Sequence, residues 1–163
     1  MKVAVVMGSD SDFPILKPAV DLLHQFKVET EVIVASAHRT PGKVRDLVSS
    51  AEERGVGAFI SAAGAAAHLG GVIASYTTLP VIGVPINATP LNGMDALLST
   101  VQMPSGIPVA TMAINGAKNA AIFAVEIFAV SDERLKKALK EYRLKMVEEV
   151  EKKAAKVAQQ LNG

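Results

Sequence analysis

Five short apolar runs, each followed by a stretch with helical spacing, constrain this chain more than any other feature. The runs are KVAVVM at 2–7, ETEVIVA at 29–35, GAFISAA at 57–63, PVIGVP at 80–85 and IPVATM at 107–112. They are rich in β-branched residues and too uniformly apolar for half-exposed antiparallel strands, so they read as strands buried on both faces. Helical patterns lie at 13–26, 41–54, 67–77, 94–103 and 116–130. Strand then helix, five times, predicts an α/β fold in three layers: a five-stranded parallel sheet covered by helices on both faces. The simplest strand order is 2-1-3-4-5, which the residue pattern alone leaves open.

A chain of 163 residues suits one domain and buries about 70% of its extended surface, enough for a core without covalent staples. It has no cysteine, which excludes disulfides, a thiolate nucleophile and cysteine-held metal. The three histidines, His24, His38 and His68, lack the close spacing of a metal site, and no cofactor motif is present. With 17 basic and 16 acidic residues, the chain lacks the charge of a general nucleic-acid binder. The opening MKVAVVMGSDSD runs out of apolar residues after Met7, so neither a signal peptide nor a membrane span is expected there. These features predict a cytoplasmic protein without nucleic-acid or membrane partners.

Local signals refine the elements. Thr40-Pro41 reads as an N-cap hydroxyl followed by proline at the first helical position. Asp12 can cap the first helix, with Pro14 in its first turn, whereas Pro18 falls where the helix already needs its N–H and predicts a kink. Residues 1–130 form the predicted α/β domain, with net charge −2, and residues 131–163 carry +3. In that tail Leu135, Leu139, Tyr142, Met146, Val150, Ala154, Val157 and Leu161 make one stripe on a long C-terminal helix of about 39 Å. Such a stripe outruns one small domain, and residues 113–130 contain only Lys118 and Glu126 as charges. Both features predict packing against a neighbouring subunit in a homo-oligomer.

In an open parallel sheet, ligands bind beyond the carboxyl ends of the strands, near the point where strand order reverses. Gly8-Ser9-Asp10-Ser11-Asp12 follows strand 1 and places hydroxyls and free N–H groups before a helix, where an anion is favoured. Two carboxylates there argue for a single phosphate beside a sugar, with Asp12 on ribose; the same residues also simply build turns and caps. Ser36-Ala37-His38-Arg39-Thr40 follows strand 2. Arg39 offers a donor fork for phosphate, Ser36 another donor, and His38 a group suited to proton transfer. A rim histidine bonded to backbone and a surface arginine paired with a carboxylate are the structural alternatives. His68 stands in the alanine- and glycine-rich run that includes Gly64, Ala65 and Leu69, which admits a flat ligand or packs a turn. Phe13 and Tyr76 are the nearby candidates for a stacking platform. Together these residues suit acid–base chemistry on a small phosphorylated ligand.

The runs MGSDSD at 7–12, SAHRTP at 36–41, AAHL at 66–69, PVIGVP at 80–85, LNGMDALLSTVQMPSGIPVAT at 91–111 and KNAA at 118–121 closely resemble class I N5-carboxyaminoimidazole ribonucleotide mutase of purine biosynthesis. That resemblance implies flavodoxin-like subunits in an octamer and a cofactor-free move of a carboxylate from N5 to C4 of the ribonucleotide. It implies Ser9, Ser11, Asp12, Ser36 and Arg39 as ligand contacts, with phosphate on Arg39, Ser11 and Ser36 and ribose on Asp12. His38 would be the acid–base, Gly64 and Ala65 would line the carboxylate side, and His68 and Leu69 would close the pocket. The chain departs from the family pattern at Ala65, where glycine is usual, and at Gly70, where proline is usual; the first implies crowding or an altered backbone angle, the second a looser loop. The rival readings are a carboxylase using free CO₂ and a non-catalytic flavodoxin-like receiver or binding module. The receiver needs an aspartate at the end of strand 3, where this chain has serine and alanine.

Overall fold

The computed structural model describes residues 1–161. Five strands, β1 (Lys2–Met7), β2 (Glu29–Val34), β3 (Val56–Gly64), β4 (Val81–Ile86) and β5 (Ala110–Thr111), form one parallel sheet in the order 2-1-3-4-5. The helices are α1 (Phe13–Gln25), α2 (Pro41–Ser49), α3 (Leu69–Tyr76), α4 (Met94–Val101), α5 (Ala117–Ala129) and α6 (Glu133–Leu161). The register pairs Val5 with Val32 on one side and with Ile60 on the other. Central β1 is therefore sealed by two neighbours, and Val3 to Met7 are buried.

Strand alternation divides the core between the two faces of the sheet. Ala4, Val6 and Phe59 pack with Val44 and Val48 of α2 and with Leu69 and Ile73 of α3. Val3, Val5 and Ile60 alternate to the opposite face and are also fully buried. Burial on both faces is the physical reason β1, β3 and β4 lack an amphipathic signal. The run at 29–35 departs from that expectation: β2 lies at the sheet edge, and its Val32 and Val34 are exposed.

Several boundaries differ from the sequence reading. Only Ala110 and Thr111 of the 107–112 run are strand, because Pro108 has no N–H for a ladder and the segment lies at the sheet edge. The predicted helix over 41–54 stops at Ser49. Its continuation turns down to Gly55, whose φ of +78° ends the helical path; Glu52 and Glu53 also oppose the negative end of a helix dipole. Helix α1 runs through Pro18. It is preceded by a 3₁₀ turn at Asp10–Asp12, capped by Ser9 rather than by Asp12. Thr40 precedes α2, but its hydroxyl makes no capping bond. It accepts from the N–H of Ser36 at 2.9 Å and donates to the carbonyl of Ser36 at 3.1 Å.

The chain divides into two compact units, Met1–Val125 and Glu126–Gly163. In the second, Asp132 caps α6 by accepting from the N–H of Leu135 at 3.1 Å. Arg143 pairs with Glu126 at 2.7 Å. Leu135 is buried, whereas Leu144, Met146, Val147, Val150, Val157 and Leu161 are exposed. Among the described residues no helix is long and apolar enough to cross a membrane.

Candidate active site

The order 2-1-3-4-5 reverses direction between β1 and β3, so the carboxyl ends of those strands diverge and leave a crevice. A cavity of about 330 Å³ occupies that place, a size suited to a small ligand. Ser9, Ser11, Asp12, Ser36, His38, Arg39, Gly64, Ala65, His68 and Leu69 all line it. They come from three separate loops, after β1, β2 and β3, and the sheet alone brings them together. Phe13 and Tyr76 are absent from the lining. Ala88 joins from the loop after β4; its signal was its position past a strand's carboxyl end, which alanine does not advertise chemically.

In the first loop the hydroxyls are arranged around one another. Ser11 donates to Oγ of Ser9 at 2.8 Å, and Ser9 donates to Asp10 at 3.2 Å. Asp12 is 6% exposed, and its N–H donates to the carbonyl of Ser9 at 3.2 Å. Burial holds the Asp12 carboxyl above its ordinary range; a backbone hydrogen bond from Ser9 opposes this, and the negative charge of Asp10 adds to it. A carboxylate short of water gains from a hydroxyl donor, which is what a sugar supplies.

The second loop is closed by Thr40, whose N–H donates to the carbonyl of Ser36 at 2.9 Å. Arg39 reaches back across the crevice: Nη2 donates to the carbonyl of Gly8 at 2.9 Å, and its backbone N–H donates to Oγ of Ser36 at 3.2 Å. The guanidinium is thereby pinned over the first loop, and among the described residues no carboxylate pairs with it; such an unpaired donor fork suits an anion. His38, beside it, meets His68 with Nε2 of the first 2.9 Å from Nδ1 of the second.

The third loop carries the departures noted at residues 65 and 70. A Cβ on Gly64 would lie 2.6 Å from Cβ of Ala88, so glycine is required for the β3 and β4 loops to approach. Ala65 adopts φ +55°, the altered backbone angle expected of a residue filling a glycine position. Gly70 does not loosen a loop: it is the second residue of α3 and is buried. A Cβ there would meet Oγ of Ser61 at 2.8 Å, so Gly70 is fitted to close packing on β3. Leu69 is 2% exposed and anchors the start of α3. Among the described residues no three His, Asp or Glu side chains are grouped as metal ligands.

Fold and site together define a doubly wound α/β protein with a pocket at its switch point, lined by serines, an arginine and a pair of imidazoles. Residues 2–149 match the family described as AIR carboxylase, and the chain belongs to that family. It is 48% identical over 158 residues to the N5-carboxyaminoimidazole ribonucleotide mutase of Thermotoga maritima, covering 97% of this chain and 92% of that protein. It is 54% identical over 142 residues to the mutase of the same name from Pyrococcus abyssi, covering 87% and 82%. The crystal structure of Treponema denticola PurE superposes with a TM-score of 0.84 at 26% identity, covering 95% of this chain and 97% of that one.

Proposed function

We propose that this protein is an isomerase that moves a carboxylate from N5 to C4 of carboxyaminoimidazole ribonucleotide in purine biosynthesis, the activity for which its relatives are named. The observation that carries the reading is the meeting of an anion-holding arginine and an acid–base histidine at one cavity: Arg39 and His38 line it together. Arg39, with Ser11 and Ser36, takes the phosphate, and Asp12 takes ribose hydroxyls beside Ser9. Gly64 and Ala65 border the carboxylate, and His68 and Leu69 close the pocket.

The reaction balances without a cofactor. Protonated His38 gives its proton to N5 as the N5–carboxyl bond breaks, leaving an aminoimidazole and CO₂. The amino group makes C4 nucleophilic; C4 attacks the held CO₂, and the C4 proton returns to His38. Holding CO₂ next to C4 makes the second step intramolecular, and effective molarities of about 10⁵ M or more are reached by such geometry.

The same reading makes the protein a cytoplasmic homo-oligomer, an octamer, with no nucleic-acid or membrane partner. The C-terminal segment 131–163 then packs on a neighbouring subunit. The exposed apolar residues of α6 and those of α4, Met94, Leu98 and Val101, support an assembled state.

The test is conversion of N5-carboxyaminoimidazole ribonucleotide by purified protein in CO₂-depleted buffer without ATP or added metal. Direct formation of the C4 isomer is expected. Product formed only when CO₂ or bicarbonate is supplied to the decarboxylated ribonucleotide identifies a carboxylase instead, and no conversion leaves a binding module.

A further inference from the structure

The contact between His38 and His68 has the geometry of a directed interaction. Nε2 of His38 lies 2.9 Å from Nδ1 of His68, with ring centroids 5.0 Å apart and planes at 84°. Two imidazole nitrogens at that distance bond only when a single proton stands between them. Both rings start from fixed backbone. The His68 N–H donates to the carbonyl of Ala66 at 2.8 Å, and its carbonyl accepts from the N–H of Val72 at 2.9 Å. His38 lies within the 36–40 turn that Thr40 closes. Among the described residues no hydrogen bond engages Nδ1 of His38 or Nε2 of His68.

We propose that His68 is the positioning residue of His38: it holds Nε2 of that ring and leaves Nδ1 as the nitrogen that exchanges the proton with the ligand. This rests on the isomerase reading above. In the neutral pair Nε2 of His38 carries the shared proton and donates it to Nδ1 of His68, so Nδ1 of His38 presents a lone pair. When Nδ1 takes the C4 proton, the shared proton moves toward His68 and the positive charge spreads over two rings. When Nδ1 gives its proton to N5, the shared proton returns to Nε2 of His38. No proton is gained or lost over the cycle. A partner on the far nitrogen is a general means of fixing which imidazole nitrogen reacts.

Side-chain geometry supplies the test. The amide of asparagine occupies the place of Nδ1, whereas that of glutamine reaches the place of Nε2. His68→Asn therefore preserves a group facing His38. His68→Gln preserves only a group at the far end, and His68→Leu preserves neither. With thermal melts confirming folded protein, kcat for His68→Asn is expected about tenfold or more above kcat for His68→Gln and His68→Leu. In ligand-free, ¹⁵N-histidine-labelled protein, a hydrogen-bonded Nε2–H resonance of His38 is expected in the wild type and in His68→Asn. It is expected to be lost in His68→Leu and His68→Gln. Glutamine equal to or better than asparagine, equal turnover for all three, or persistence of the resonance in His68→Leu overturns the proposal. Failure of the wild type to isomerise overturns the functional reading, and the resonance still decides the contact.

Discussion

Nη2 of Arg39 donates to the carbonyl of Gly8 at 2.9 Å, across 31 residues of sequence. The contact ties the loop after β2 to the loop after β1 and fixes where a positive charge stands over the crevice. A charged hydrogen-bond partner is typically worth about 1.5–3 kcal/mol. Arg39→Ala is therefore expected to weaken binding of the phosphorylated ligand by about 10–100-fold, measured by titration calorimetry. Binding of the phosphate-free nucleoside should change by less than about threefold. Equal weakening of both would mean that Arg39 only holds the loops together.

His38→Asn keeps a polar side chain on the rim but removes the imidazole proposed as the acid–base group. Turnover should fall by about 10²–10⁴-fold, the usual contribution of general acid–base catalysis, while ligand affinity stays within a few-fold. Single-turnover kinetics beside equilibrium binding separates the two. Near-normal turnover would remove His38 from the reaction.

Asp12 is a buried acid, and burial raises its proton affinity in the folded state above the ordinary value of 3.8. The sign follows from linkage. Its favourable contribution is fully present below the unfolded value and is lost as pH rises through the higher folded value, so ionised Asp12 weakens the fold at neutral pH. Asp12→Asn should therefore be more stable than wild type at pH 7, by about 0.5–1 kcal/mol, with the advantage shrinking below about pH 4. Urea unfolding at the two pH values measures this. The same variant should bind the ribonucleotide more weakly, and a stability difference independent of pH would contradict the assignment.

Ala65 holds φ +55°, where a side chain costs about 1–2 kcal/mol. Part of the relief on Ala65→Gly is offset by the freer unfolded chain, about 0.4–1 kcal/mol. The variant should gain about 0.5–1 kcal/mol and a Tm higher by about 1–3 °C. A lower Tm in calorimetry would show that contacts of the methyl group outweigh the strain.

Removing the chain after Ser131 deletes α6 with its exposed Leu144, Val147, Val150 and Val157 and touches no residue of the cavity. Light scattering across a dilution series should show a smaller assembly than the full chain forms, with turnover reduced. A full-length species near 17.1 kDa at micromolar concentration, active as such, would leave α6 without an assembly role.

The inner strands were legible from the residues because burial on both faces leaves a local mark, whereas β2 has the same apolar, β-branched residue types with Val32 and Val34 exposed at the sheet edge. KVAVVM at 2–7 became β1 without change, and PVIGVP lost only its first proline while β4 extended to Ile86. Signals that compete locally were less reliable. Thr40 has the residue type of a cap, yet its hydroxyl closes the 36–40 turn. Pro108 sits inside an apolar run, yet it shortens β5 to two residues. The candidate site was legible as three separate loops through their unusual residues, Ser9 to Asp12, Ser36 to Arg39 and Gly64 to Leu69. Ala88 was not, because an alanine marks a site only by where it stands.

By itself, then, the sequence determined the alternation of elements, the absence of thiol chemistry and the identity of the groups available for binding and proton transfer, since these depend on residue type and local period. Tertiary structure decided the order 2-1-3-4-5, the reach of Arg39 to Gly8, the φ of Ala65 and the meeting of His38 with His68. Each joins segments distant along the chain or depends on what packs beside them. A local pattern carries no information about such distances until the sheet has closed them.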